Sequence, residues 1–320
     1  MIRLSDVHKS YKAAPALCGI SLEVRAGECA VLIGPSGCGK STLLKAINRM
    51  IDIDQGEVAV NGKNVREYNL EELRLQTGYC IQGVGLFPHF TVQENIALVP
   101  GLLKWPPEKI SQRVRYLMDI TGLPLSYLAK KPRELSGGEA QRVGVCRALA
   151  ADPPILLMDE PFGSVDPLNR ERLQMVFVSL QKELKKTVLF VTHDVEEALM
   201  IGDRVFIMNQ GKVDAVGTPG HFAGTLEQGF AREFLGNEYP LKILRKYTVG
   251  DLNPAGLQTI PLSDVNQQEL IRGDDINLKQ VLSEMMRRNE QIIHVLLSGD
   301  RVLAIHYSDL VRHLHEVSEE

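Results

Sequence analysis

The sequence predicts an α/β protein built on a parallel sheet, followed by a second, smaller α+β unit. Three observations predict it. Apolar runs at 155–158 and 188–191 flank a helical segment at 167–186, and strand, helix, strand in that order implies parallel pairing. The patterning weakens around Pro240, then resumes with a helical stripe and two strand-like runs. The chain has 320 residues, which at roughly 150 residues per domain leaves room for about two.

Taken in order, 22–24 and 29–33 are apolar strand candidates joined by a turn at Arg25-Ala26-Gly27-Glu28. Residues 58–60 and 63–65 make a predicted hairpin about Asn61-Gly62, a pair that supplies the positive φ angles of a type I′ turn. A helix is expected over 41–50, and a strand over 78–81 that ends at Gln82. From about 83 to 151 the sequence turns mainly helical, with Ile110, Val114, Leu117 and Met118 recurring at helical spacing. Strand signals return at 155–158, 188–191 and 205–208. In the last part Leu278, Val281, Leu282, Met285 and Met286 form a helical stripe. Residues 292–297 and 302–306 read as strands about a Ser298-Gly299-Asp300 turn, and 310–314 closes the unit as a short helix.

Composition narrows the class of protein. Hydrophobic residues make up 44% and charged residues 24%, ordinary for a globular chain and unlike disorder or collagen. No run approaches the roughly 18 apolar residues of a membrane-spanning helix. Met1 to Ser10 lacks the apolar core of a secretory signal, so the chain is expected in the cytosol. Residues 251–320 carry 6 Lys and Arg against 12 Asp and Glu, which argues against a nucleic-acid-binding arm there. Cys18, Cys29, Cys38, Cys80 and Cys146 show no metal-ligand or redox spacing and are expected to be reduced thiols. Lys185-Lys186 is expected to solvate a helix end, and His313 and His315 are not read as metal ligands.

Two motifs carry chemistry on their own residues. Gly34-Pro35-Ser36-Gly37-Cys38-Gly39-Lys40-Ser41 matches G-x-x-x-x-G-K-[ST] between a predicted strand and a predicted helix. The glycines let backbone N–H groups turn inward around phosphate oxygens, and the helix N-terminus adds partial positive charge. Lys40 would reach the β and γ phosphates, and Ser41 would bind Mg²⁺. The alternative is a glycine-rich turn without a ligand. Ile155-Leu156-Leu157-Met158-Asp159-Glu160 reads as a buried strand ending in two acids. Asp159 would hold Mg²⁺, mostly through water, and Glu160 would polarise a water at the γ-phosphate. Both acids could instead cap the next helix.

The third motif brings a resemblance. Leu135-Ser136-Gly137-Gly138-Glu139, continued by Ala140-Gln141-Arg142, together with the first two, is similar to the ATP-binding subunits of ABC transporters. A Ser-capped helix start is the plain reading of the same residues. The resemblance implies a P-loop NTPase of ABC type: a RecA-like parallel core, an antiparallel β-subdomain and a helical subdomain at about 83–151, all within 1–238. Ile81 to His89, Asn95 to Pro100 and Met158 to Pro167 look like the branch that powers osmoprotectant importers for glycine betaine, choline or carnitine. Residues 245–320 have the helix–strand–strand–helix order of a single CBS-like unit, where such ATPases often carry two. Dimerisation is preferred to nucleotide sensing as its role.

The resemblance also implies the site. ATP would be bound by Tyr11 (stacking on adenine), by Gly34, Pro35, Ser36, Gly37, Cys38, Gly39, Lys40, Ser41 and Thr42, and by Gln82, Asp159 and Asp166. Ser136, Gly137, Gly138 and Glu139 would meet the γ-phosphate bound to a partner copy. Ser41, Gln82 and Asp159 would hold Mg²⁺. Glu160, His193, Lys40 and Gln82 would carry hydrolysis, His193 as the γ-phosphate clamp. The implied partners are a second ATPase subunit, permease subunits and, through them, a solute-binding protein, at the cytoplasmic membrane face and without nucleic acid. Alternatives are an importer of another small solute such as an amino acid, an export ATPase, a non-transport ABC ATPase, a GTP-binding switch (whose Asn-Lys-x-Asp is missing) or a regulatory binding module.

Overall fold

In the computed structural model the described residues are all of 1–320 except 13, 82, 84, 164, 223–228, 253–256, 267–269, 274–275, 299–300 and 320. They fall into two compact units, Met1–Asp194 with Asp203–Val216, and Val195–Gly202 with Gly217–Glu320. Among the described residues no helix is long and apolar enough to cross a membrane.

The first unit opens with strands β1 (Ile2–Tyr11) and β2 (Ala14–Val24), paired antiparallel. The polar, charged N-terminus is therefore a strand. Its alternation is broken because the register shifts between Leu4 and Val7, where Asp6 sits at φ 48°, so Ile2, Leu4 and Val7 are the buried side chains. β4 (Gln55–Val60) and β5 (Lys63–Asn64) complete this sheet in the order β2-β1-β4-β5. Asn61 and Gly62 join the last two at φ 51° and 79°, as the Asn-Gly pair predicts.

The second sheet of this unit contains β3 (Cys29–Ile33), β6 (Thr77–Cys80), β7 (Ile155–Asp159), β8 (Thr187–Val191), β9 (Arg204–Asn209) and β10 (Lys212–Gly217), in the order β10-β9-β3-β8-β7-β6. β3 lies parallel to β8 and β9, and β7 parallel to β6 and β8. All five residues of β3, β7 and β8 are buried, which only strands covered on both faces can sustain. β6 ends at Cys80, short of the expected end at Gln82, and Gln82 lies outside the described residues.

Helices fill the connections. α1 (Lys40–Ile47) follows β3 and stops before Arg49 at φ 46°, shorter than the expected 41–50. The stretch after β6 is helical, as expected: α2 (Val92–Leu102), α3 (Pro107–Ile120) and α4 (Gly137–Leu149). α5 (Pro167–Leu184) joins β7 to β8 and ends at Lys185 in the left-handed region. Lys186 does not solvate that end. Its side chain is 13% exposed and its Nζ lies 3.0 Å from Asp152 Oδ1, which Arg113 also contacts at 3.3 Å.

The second unit contains α6 (Val195–Ile201) and a four-stranded sheet in the order β11-β14-β13-β12. These strands are β11 (Gln258–Ile260), β12 (Ile271–Arg272), β13 (Ile292–Leu297) and β14 (Arg301–His306). The helix Leu278–Arg288 precedes β13, and Tyr307–Glu319 follows β14 as a full 13-residue helix where only 310–314 is expected. The turn expected at 298–300 falls mostly outside the described residues. Leu278, Val281 and Met285 face a core with Ile293, Val295, Leu303 and Ile305, but Met286 of the same predicted stripe is 76% exposed. His313 is buried beside Tyr247, ring centroids 4.7 Å apart.

Candidate functional site

The phosphate loop occupies the turn between β3 and α1. Glycine is obligatory at two of its positions. A Cβ on Gly34 would lie 2.1 Å from the Met208 carbonyl oxygen, and one on Gly39, at φ 109°, 2.4 Å from that of Ala16. Pro35, Ser36 and Gly37 form the exposed tip, while Cys38, Gly39 and Lys40 are buried. Lys40 folds back over the loop, its Nζ donating to the Gly34 carbonyl at 2.7 Å and to that of Pro35 at 3.0 Å. No side chain caps α1 and its first turn holds no acid, so its N-terminal N–H groups and the Lys40 ammonium make one cationic concavity. Ser41 and Thr42 are half-buried in that turn.

The end of β7 faces this loop. Ser41 Oγ donates to Asp159 Oδ1 at 3.0 Å. Asp159 is 2% exposed, and burial pushes its carboxyl above the usual carboxylate range. The Glu160 charge adds to that, and the Ser41 hydrogen bond and the charges of Lys45 and Lys40 oppose it. Glu160 has a left-handed backbone, φ 47°, and its N–H donates to the Val191 carbonyl at 3.0 Å. Its Oε2 lies 3.3 Å from His193 Nδ1, just past β8, and the His193 side chain is 62% exposed. Loop lysine, helix serine, strand aspartate, glutamate and histidine are thus gathered at the C-terminal ends of β3, β7 and β8, the edge where open parallel sheets place ligands.

The other expected residues lie as follows. Tyr11 ends β1 and is 46% exposed, and Lys9 Nζ lies 5.7 Å from its ring centroid. Ala16, whose carbonyl meets Gly39, lies in β2, which pairs with β1. Ser136 caps α4: Glu139 N–H donates to its Oγ at 3.3 Å, and Ser136 N–H donates to Glu139 Oε2 at 2.7 Å. Glu139 is further held by Tyr127 Oη at 3.0 Å, so its carboxylate is engaged by both the cap and a residue outside the helix. The Ser136 backbone N–H, with the Tyr127 and Ser136 hydroxyls behind it, holds that carboxyl below the usual range against burial. Ser136 and Gly137 are exposed and Gly138 is half-buried. Asp166 caps α5, accepting from Asn169 N–H at 3.1 Å and from Asn169 Nδ2 at 2.9 Å. Gln82, and Ser164 beside Asp166, lie outside the described residues. Tyr127 has no signal in sequence, because its hydroxyl reaches Glu139 from 12 residues away, outside the helix that Ser136 caps.

Comparison with known proteins identifies the family. The family model described as "ABC transporter" matches residues 17–163. The chain is 48% identical over 239 residues to the glycine betaine/carnitine/choline transport ATP-binding protein of Bacillus subtilis, covering 74% of this chain and 63% of that one. The chain thus spans less than two thirds of the length of that relative. Over 317 residues it is 38% identical to the glycine betaine uptake system ATP-binding protein of Escherichia coli, covering 97% of this chain and 99% of that one. Among solved structures, a dimeric post-hydrolysis state of the ATP-binding cassette MJ0796 bound to ADP and Pi superposes with a TM-score of 0.64 at 31% identity, over 72% of this chain and all of that one. The chain belongs to the family of ABC transporter ATP-binding proteins.

Proposed function

From that membership we propose that the chain hydrolyses ATP to power an importer of osmoprotectant quaternary amines such as glycine betaine, choline or carnitine. The observation that carries the ATPase reading is the gathering of Lys40, Ser41, Asp159, Glu160 and His193 at one sheet edge. The solute class is supported by the relatives named for glycine betaine, carnitine and choline. An export ATPase, or an importer for another solute, is the reading the uptake test below would promote.

In this reading the loop N–H groups and the α1 N-terminus cradle the β and γ phosphates, and Tyr11 stacks on the adenine. Lys40 turns its ammonium from the Gly34 and Pro35 carbonyls toward phosphate oxygen and stabilises the charge that spreads in the transition state. Glu160 orients and polarises the attacking water. His193, within reach of Glu160, holds the γ-phosphate. Ser41 and Asp159 offer an all-oxygen donor pair, which suits Mg²⁺, and a buried carboxylate gains from a cation beside it. Mg²⁺ held there would neutralise phosphate charge.

Ser136, Gly137 and Gly138 complete the site of a second copy, which fits their exposure at the start of α4 and the dimeric form of the MJ0796 cassette. Asp166 lies at that interface. A groove lined by Arg74, Tyr79, Ile81, Phe87 and Arg147 is the surface we assign to the permease subunits. In this proposal the chain sits peripherally at the cytoplasmic face of the membrane. Residues 1–238 form the ATPase domain of the proposal and 245–320 a single CBS-like dimerisation unit.

Radiolabelled uptake in cells with and without this chain tests the function. The panel is glycine betaine, choline and carnitine beside an amino acid and a sugar, at low and high osmolarity. Loss confined to the quaternary amines is expected. No loss for any of them would remove the solute assignment.

A further inference from the structure

We infer that Gln141 is a positioning residue for hydrolysis: its side-chain amide holds the backbone carbonyl of Glu160 and so sets where the Glu160 carboxylate points. The inference rests on the ATPase reading above and extends it to a residue outside the groups that reading assigns to phosphate and water.

Gln141 is the fifth residue of α4, the helix that Ser136 caps. Its side chain is 2% exposed, and its Nε2 donates to the Glu160 carbonyl at 3.3 Å. That carbonyl also accepts the Gly163 N–H at 3.2 Å, and the Glu160 N–H is held by Val191. Glu160 needs such restraint. A left-handed backbone costs a non-glycine residue roughly 1–2 kcal/mol and persists only where the surroundings over-determine it. Three hydrogen bonds, from α4, from β8 and from the turn after β7, do so here.

Packing alone does not account for Gln141. Among the described residues its Oε1 is buried without a hydrogen-bond partner, a cost that a methionine or leucine of similar volume would avoid. Turning the amide over would set that oxygen against the Glu160 carbonyl oxygen, so chemistry fixes its orientation. The polar group is therefore explained by the one bond it donates. Because α4 also begins with Ser136 and Gly137, a movement of that helix on meeting nucleotide is passed to Glu160 through this bond.

The test is steady-state ATP hydrolysis and ATP binding by the full chain, for wild type, Gln141→Met, Glu160→Gln and the double variant. Gln141→Met keeps the volume and removes the donor. Its kcat is expected to fall about tenfold, the order of loss that slight misplacement of a reacting group produces, with KM and ATP affinity unchanged. In the Glu160→Gln background the same change is expected to cost nothing further, because Gln141 acts through Glu160. A merely structural role would lower both backgrounds equally. Gln141→Leu repeats the test if the methionine fails to pack. Wild-type kcat in Gln141→Met, an equal loss in both backgrounds, or a parallel loss of ATP affinity would each overturn the inference. A wild type that neither binds nor hydrolyses ATP would instead overturn the ATPase reading itself.

Discussion

The sheet edge of the first unit and the Glu196 cluster of the second handle charge in opposite ways. At the sheet edge, Glu160 meets His193 at 3.3 Å, while Lys40 and Asp159 hydrogen-bond neutral groups. Lys40 gives its protons to carbonyl oxygens, and Asp159 takes a hydroxyl. In the second unit Glu196, on α6, is matched by Arg245 at 3.3 Å and Lys279 at 2.9 Å, while Lys246 donates to the Gly202 carbonyl at the end of the same helix. Charges held apart from their counter-ions can act on a ligand; charges already cancelled hold a fold together.

Four substitutions sharpen or break that contrast. The largest effect belongs to the second unit's core. Met285→Ala should cost about 2–5 kcal/mol, whereas Met286→Ala, one residue along and exposed, should stay within about 0.5 kcal/mol. Chemical denaturation of both variants checks this, and equal costs would mean the stripe packs differently. Next, Lys40→Ala should weaken ATP binding roughly 10- to 100-fold, the worth of about 1.5–3 kcal/mol for a hydrogen bond to a charged group, with little change in melting temperature. Tight ATP binding by that variant, measured calorimetrically, would remove Lys40 from its role.

The smallest effect is electrostatic. Burial pushes the Glu196 carboxyl up, but Lys279 first and then Arg245 outweigh it and hold it below the usual range. The stabilisation is therefore complete above the ordinary glutamate value of about 4.3 and is lost as pH falls through the lower folded value. Lys279→Met should cost about 1 kcal/mol at pH 7 and progressively less below pH about 4. A cost that persisted in acid would mean Lys279 matters through packing rather than charge.

The sequence is most legible where chemistry demands a fixed residue at a fixed spacing. The loop from Gly34 to Ser41 falls between β3 and α1, and the pair Asp159-Glu160 at the end of β7, as the sequence predicts, because close backbone approach at Gly34 and Gly39 and burial of the strand fix those local structures. The β1 strand was hidden by its own bulge: Asp6 at φ 48° shifts the alternation, so Val7 points inward out of phase with Leu4. Lys186 looked like a solvated charge, since nothing local announces that Asp152 lies beside it. Gln141 could be read only as part of a signature, because the carbonyl it holds is 19 residues away. Local physics is written locally, and partners brought together by the fold are not.

The central claim is that Glu160 drives hydrolysis at a site whose binding groups are separate from it. Single-turnover hydrolysis and equilibrium ATP binding by Glu160→Gln, beside wild type, test it most directly. The account requires binding within a few-fold of wild type and hydrolysis slower by about 10²–10⁴. Hydrolysis at the wild-type rate would contradict it.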